Sequence, residues 1–294
     1  MKKYLFYILF FHLLLSCHSA TKKESTSRKG ILTVTIEPQR FFLEQIVGDA
    51  FVINTLVPPG TSPETYEPAP SVMVEMGNSL LYFMVGDLGF EKAWSERLAA
   101  NNPDVIIVDC SAGIVRLESD EQEGHGHGHA HGDVDPHVWS SPRAMEIFSR
   151  NMLEAVVQAD PENEKVYRSN YEKLNDMIIA TDSLIREKLT RASSRSFVIY
   201  HPALAYFAND YNLHQHSVEF EGKNPSPAQI KELVDLARVE NIHTVFIQKG
   251  FDKKNTEVIA REIGAEVFEI DPLSYEWERE LVRIADILSR EADE

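Results

Sequence analysis

From Glu162 to Leu189 the chain contains neither proline nor glycine, and Tyr167, Tyr171, Leu174, Ile178, Ile185 and Leu189 recur at steps of three and four or their sum. That spacing puts an apolar stripe along one side of a helix and leaves the acidic residues on its wet face, so one long amphipathic helix is predicted, with a shorter one before it from Pro142 to Ala159. A helix of that length is a stiff linker. Whatever it joins is limited in hinge motion and leaves a cleft between the joined parts.

On both sides of it the chain alternates short apolar runs with helical stretches. Strands are expected at Ile31 to Ile36, Val52 to Leu56, Leu80 to Val85 and Val105 to Val108, with helices at Phe41 to Gly48, Ser71 to Gly77 and Glu91 to Ala100. The second half repeats the rhythm. Its expected strands are Phe197 to Tyr200, His214 to Val218, Thr244 to Gln248 and Glu266 to Glu269, and its helices lie near Leu204 to Tyr211, Ser226 to Glu240 and Asn255 to Ile263. The expected fold is α/β: two parallel-sheet lobes joined by one long rigid helix, with a ligand cleft between them at strand ends.

The N-terminus points to an extracytoplasmic address. Lys2 and Lys3 precede an apolar run from Tyr4 to Leu15 that meets Leu14-Leu15-Ser16-Cys17, the pattern of a secretory signal ending in a lipoprotein cleavage site. About a dozen residues fall short of the roughly 20 that span a bilayer. Cleavage before Cys17 would free a thiol for a diacylglycerol anchor; a plain signal peptide or an uncleaved anchor is the alternative, because Leu15 is less typical at its position. The expected segments are a signal peptide at 1–16, lipidated Cys17 and a polar tether at 17–29, a first lobe at 30–141, linking helices at 142–192, and a second lobe at 193–294. Cys17 and Cys110 are the only cysteines, so with Cys17 lipidated no internal disulfide can form, and Cys110 reads as a small buried hydrophobe. The formal charge is -17, and loss of the leader removes two lysines and no acid. Such a surface suits cations and argues against nucleic acid, which is bound mainly through Lys and Arg.

Within the first lobe, His125, His127, His129 and His131 alternate with small residues in a loop at 118–134 that leads into Asp135-Pro136-His137-Val138-Trp139. Histidine spaced by glycine and alanine cannot build a core, whereas imidazole is the commonest ligand for divalent transition ions. Glu118, Asp120, Glu121, Glu123, Asp133 and Asp135 add oxygen ligands and a negative field. A solvated polar loop is the plainer reading. Four further candidates sit at or just after expected strand ends: Glu64 in the proline-rich loop Pro58 to Pro68, His137, His201 before Pro202, and Asp271 before Pro272. Taken singly, His201 also reads as a cap of the following helix, Asp271 as an N-cap and Glu64 as a turn carboxylate. Trp139, Tyr200, Tyr206 and Phe207 read as packing around these loops.

Five ordered motifs carry a resemblance: Pro58-Pro59-Gly60 to Pro68, Asp135-Pro136-His137-Val138-Trp139, His201-Pro202 to Tyr211, Glu221-Gly222-Lys223-Asn224-Pro225-Ser226-Pro227-Ala228-Gln229, and Asp271-Pro272-Leu273. From about Gly30 to the C-terminus the chain resembles the zinc- and manganese-binding solute-binding proteins of bacterial ABC importers, in the zinc-type subgroup with a His-rich loop. The resemblance implies a two-lobed fold that binds one divalent cation between the lobes and delivers it to a membrane permease driven by a cytoplasmic ATPase. Residue by residue it implies a shell of Glu64, His137, His201 and Asp271. Where many members have histidine in the first motif, this chain has Glu64, which either ligates or points away and leaves water to complete the shell. The cysteine pair of some zinc members is missing.

Two imidazoles and two carboxylates suit Zn²⁺, and the His-rich loop adds weight to zinc; Mn²⁺ or Fe²⁺ is the alternative. The loop is expected to gather ions weakly and pass them to the cleft. A monomer, anchored by lipid in the periplasm or at the cell surface, is expected. An enzyme is not: there is no His-Glu-x-x-His helix, no Gly-x-Ser-x-Gly elbow and no glycine-rich phosphate loop, and a full shell leaves no open position for a substrate. A surface metal buffer or adhesin without a transporter is a further alternative, and the least favoured is a zinc hydrolase with metal-bound water as nucleophile and Glu64 as general base.

Overall fold

The computed structural model describes residues 30–118, 134–219, 225–251 and 254–290. The leader, Cys17, the tether, His125, His127, His129, His131 and part of the Glu221 to Gln229 motif therefore lie outside the described residues.

The strands are β1 (Ile31–Val34), β2 (Val52–Thr55), β3 (Leu81–Met84), β4 (Ile106–Asp109), β5 (Ser196–Ile199), β6 (His214–Ser217), β7 (Thr244–Gln248) and β8 (Glu266–Ile270). They form two four-stranded sheets, ordered β2-β1-β3-β4 and β6-β5-β7-β8, with parallel pairing throughout. The helices are α1 (Glu37–Val47), α2 (Pro70–Met76), α3 (Gly89–Asn101), α4 (Pro142–Ala159), α5 (Glu164–Leu189), α6 (Ala205–Tyr211), α7 (Pro227–Val239), α8 (Lys254–Ile263) and α9 (Trp277–Leu288). This is the two-lobed α/β architecture expected from the periodicities.

The long helix starts later than its sequence pattern, because Pro161–Asn163 winds as a 3₁₀ turn. From Glu164 it runs 26 residues, about 39 Å at 1.5 Å per residue. Tyr167, Leu174, Ile178, Thr181, Ile185 and Leu189 are its buried residues, and α1, α4 and α9 pack against it. Helix α1 belongs with the first sheet and α9 follows the second, so α5 is the common wall of both lobes. One continuous core runs from Leu32 and Phe83 in the first sheet, through Phe148 and Ile178, to Phe197, Phe246 and Trp277. The lobes share this core, which opposes large rigid-body opening.

One boundary moved for a local reason, and one helix was not expected. Helix α1 begins at Glu37 and not at Phe41, because Pro38 fits the first turn and Gln39 reaches back: its Oε1 accepts from the N–H groups of Thr35 (2.8 Å) and Ile36 (3.1 Å). Helix α9 is absent from the sequence expectation although Trp277, Leu281, Ile284, Ala285 and Leu288 carry its pattern.

In each sheet the strand order reverses beside the first strand, and such a switch point opens a crevice at the carboxyl ends of the strands. The first sheet fills its own. Gln39 Nε2 donates to the Phe83 carbonyl (3.0 Å), and Glu91 from α3 accepts from the Thr35 hydroxyl and from the N–H groups of Val85 (2.8 Å) and Gly86 (2.7 Å). The second sheet leaves its crevice to His201 and Gln248, at the ends of β5 and β7. The expected buried role of Cys110 is borne out, since it is fully buried and burial pushes its thiol pKa well up.

Candidate metal centre

Glu64 is held by a helix terminus. Prolines 58, 59, 63 and 68 stiffen the loop after β2, and its turns close through Thr61 N–H to Pro58 O (3.1 Å) and Thr65 N–H to Ser62 O (3.4 Å). Helix α3 starts at Gly89 with unpaired N–H groups. Gly89 donates to Glu64 Oε2 (3.1 Å) and Phe90 donates to Pro63 O (3.1 Å), so the carboxylate sits where the helix dipole favours negative charge. A Cβ at Gly89 would lie 2.7 Å from Glu64 Oε2 and 3.0 Å from its carbonyl oxygen, which explains glycine there. The other oxygen, Oε1, is buried and has no hydrogen-bond partner.

His137 precedes the 3₁₀ turn Val138–Ser140. Asp135 Oδ1 accepts from both its backbone N–H (2.7 Å) and its ring Nδ1 (3.1 Å). The Tyr206 hydroxyl donates to the Asp135 carbonyl (3.2 Å). The expectation that Asp135 supplies an oxygen ligand is thus corrected: its carboxylate is buried and turned to orient His137. Glu118 pairs with Val134, three residues before His137, in an antiparallel bridge. Burial opposes charge on His137, yet the carboxylates of Asp135, Glu64 and Glu219 hold its pKa above the ordinary imidazole value.

His201 follows β5. Gln248 grips its main chain, accepting from His201 N–H (3.2 Å) and donating to His201 O. Its Nδ1 faces Glu219 Oε2 at 2.7 Å, and Phe251 stacks on the ring, with centroids 5.8 Å apart and planes within 12°. It does not cap α6, whose N-cap is Leu204.

Because a carboxylate only accepts, Nδ1 carries a proton in both rings, so in the neutral imidazoles each Nε2 keeps a bare lone pair. The two Nε2 atoms stand 3.2 Å apart. Two lone pairs at that distance repel unless a proton or a cation lies between them. On a tetrahedral zinc ion with bonds of about 2.0–2.1 Å, two ligand nitrogens are about 3.3 Å apart.

Asp271 follows β8, and its backbone N–H donates to Glu280 Oε1 (2.8 Å). It does not cap α9, which begins after Glu276. Its side chain is 40% exposed and Lys249 Nζ lies 3.9 Å from Oδ2. Burial raises the Asp271 pKa, with Lys249 pulling the other way. Glu64, His137, His201 and Asp271 all line one cavity of about 170 Å³, together with Trp139, Gln248, Lys249 and Phe251. The imidazoles meet. The carboxylates of Glu64 and Asp271 stand on the surrounding wall, and among the described residues no three His, Cys, Asp or Glu groups are already gathered as a set that could hold an ion.

Sequence reading missed Glu219, Gln248, Lys249 and Trp277. Glu219 ends the run after β6 as His201 follows β5, but their meeting depends on β6 pairing beside β5, with Val198 opposite His216. Trp139 and Tyr206 are buried as expected, and each also carries a hydrogen bond that ties the site's loops together.

Comparison with known proteins agrees with this fold. A crystal structure of a ZnuA deletion mutant with zinc bound superposes with a TM-score of 0.80 at 34% identity, covering 88% of this chain and 96% of that one. The high-affinity zinc uptake system protein ZnuA of Bacillus subtilis (strain 168) is 28% identical over 96% of this chain and 92% of its own length. The iron-binding protein YfeA of Yersinia pestis is 28% identical over 92% of this chain and 88% of its own. The family model described as ZnuA, zinc-uptake complex component A, periplasmic, matches residues 32–283. With the fold, the cleft and this match in agreement, the chain belongs to the ZnuA family, the solute-binding components of ABC metal-uptake systems.

Proposed function

We propose that this protein captures Zn²⁺ in the cleft through Glu64, His137, His201 and Asp271 and hands it to an ABC permease driven by a cytoplasmic ATPase. The observation that carries the reading is the pair of Nε2 atoms 3.2 Å apart, each ring aimed by a carboxylate on its Nδ1. Glu64 Oε1, buried without a partner, is a third donor lacking a counter-charge. Two imidazoles and two carboxylates neutralise a divalent ion. Lys249 would then give up Asp271 to the metal. Zinc is favoured by the imidazole pair and by the ligand order that places it far above manganese; the zinc-bound neighbour supports the same choice. The iron-binding relative from Yersinia keeps iron as the second reading. Metal capture and hand-over need no bond-making chemistry, and no catalytic role is proposed. The lipid anchor at Cys17 and a periplasmic or cell-surface position belong to the same proposal on the strength of the leader sequence, and a monomeric state is proposed with them.

The test is metal content by elemental analysis, with competition between Zn²⁺ and Mn²⁺ or Fe²⁺, on the chain from Ser19 onward and on His137→Ala and His201→Ala. Tight zinc in the parent, lost in both variants, is expected. A preference for manganese or iron would move the cargo and keep the site; no tight metal in the parent would overturn the assignment.

A further inference from the structure

Two indole N–H groups cross the lobe boundary beside the cleft. Trp139 Nε1 donates to the carbonyl of Pro272 (2.9 Å), and Trp277 Nε1 donates to the carbonyl of Trp139 (2.6 Å). Both side chains are buried. Trp139 lies two residues after His137 and meets its ring edge-on, centroids 5.1 Å apart, while Pro272 directly follows Asp271. Trp277 is fixed in turn against Phe42 of α1, edge-on at 4.9 Å. Next to it the Tyr275 hydroxyl donates to Glu44 Oε2, also in α1, at 2.5 Å.

The segment that carries Asp271 is therefore fastened to the first lobe, although it grows from the second sheet. We infer that the Trp139–Trp277 clasp is a positioning device that sets the separation of His137 and Asp271, and so the fit of the metal between them. This rests on the proposed ligand set. A carbonyl held by a buried indole cannot drift without losing that bond and leaving a polar group unpaired, so the peptide bearing Asp271 keeps its place relative to His137. Tryptophan suits the task because its rigid ring packs as core while its one N–H fixes a main-chain position. Ligand groups held to within about half an ångström are what tight metal sites require.

A purely structural role and a positioning role separate in a double-mutant cycle. Trp139→Phe and Trp277→Phe keep an aromatic ring and delete the N–H. Zinc affinity of folded protein is measured by competition with a chromophoric chelator in the parent, in both Phe variants, in Asp271→Asn and in Trp139→Phe/Asp271→Asn. Trp139→Phe should weaken zinc about tenfold, and the same change should add little once Asp271 is already replaced. The absorption bands of Co²⁺ bound in place of zinc should shift in Trp139→Phe. In the parent, indole N–H exchange at Trp139 and Trp277 should slow on adding zinc, a readout that does not depend on a variant folding. Parent-like affinity in both Phe variants, an equal loss with and without Asp271, or indole exchange indifferent to zinc would overturn the inference while the ligand assignment stands. A parent without tight zinc would overturn both.

Discussion

Glu91 is the group whose titration should be most visible in the stability of this protein. It is 1% exposed and accepts from the Thr35 hydroxyl and from the N–H groups of Val85 and Gly86. Burial raises its pKa to about 7 against those hydrogen bonds, with the nearby Asp109 charge adding to the rise. The unfolded chain releases this proton near the ordinary glutamate value of 4.5. The folded state therefore holds the proton more tightly, so the stabilisation is complete below about pH 4.5 and is lost as pH rises through about 7. At ~1.36 kcal/mol per pH unit the gap amounts to about 3 kcal/mol, roughly a hundredfold or more in the folded-to-unfolded ratio. Glu91→Gln cannot titrate. Its amide keeps an oxygen for Thr35 and Val85 but turns an NH₂ toward the Gly86 N–H, a fixed cost at every pH. Urea unfolding of parent and variant, in chelator to exclude metal linkage, gives the difference in stability at about pH 4.5 and about pH 8. Relative to the variant, the parent should lose about 3 kcal/mol between those pH values. Parallel stability curves would refute the reasoning and show Glu91 to be ionised in the fold at an ordinary pKa.

Three other outcomes follow from the site. Glu219→Gln should weaken zinc by about 10- to 100-fold in competition titration, because an amide can present a donor to His201 Nδ1 and no longer holds the proton there; unchanged affinity would remove Glu219 from the site's support. Gly89→Ala should displace Glu64 and lower affinity about tenfold, since the new Cβ meets Glu64 Oε2 at 2.7 Å; a crystal structure with Glu64 unmoved would contradict it. Deleting Gly124 to Gly132 should lower total zinc stoichiometry at equilibrium dialysis and leave the tight site, because the four proposed cleft ligands Glu64, His137, His201 and Asp271 all lie outside the deleted stretch. Loss of the tight site would show that the His-rich segment shares it.

Much of the architecture was written in local patterns. The stripe from Tyr167 to Leu189 specifies a helix whatever surrounds it, and the β-branched runs at Ile31, Val198 and Val245 specify buried strands, because periodicity and side-chain shape act over a few residues. The same holds for the placement of Glu64, His137, His201 and Asp271 after strand ends, where loops carry ligands. Boundaries at Glu37 and Glu164 were less legible, since they depend on caps and on a 3₁₀ turn.

By itself the sequence determined the class of fold, the supply of metal-binding side chains and the loops that bear them. Only the tertiary structure decided that the His137 and His201 nitrogens stand 3.2 Å apart, that Asp135 and Glu219 orient them, and that Glu64 divides its oxygens between a helix terminus and the cavity. It also decided that Gln39 and Glu91 close the first sheet's crevice and that Trp139 and Trp277 bind the Asp271 segment to the opposite lobe. These contacts join residues up to 138 positions apart. Their geometry follows from strand order and from packing on α5, and no local propensity encodes which distant side chains that packing brings within hydrogen-bond reach.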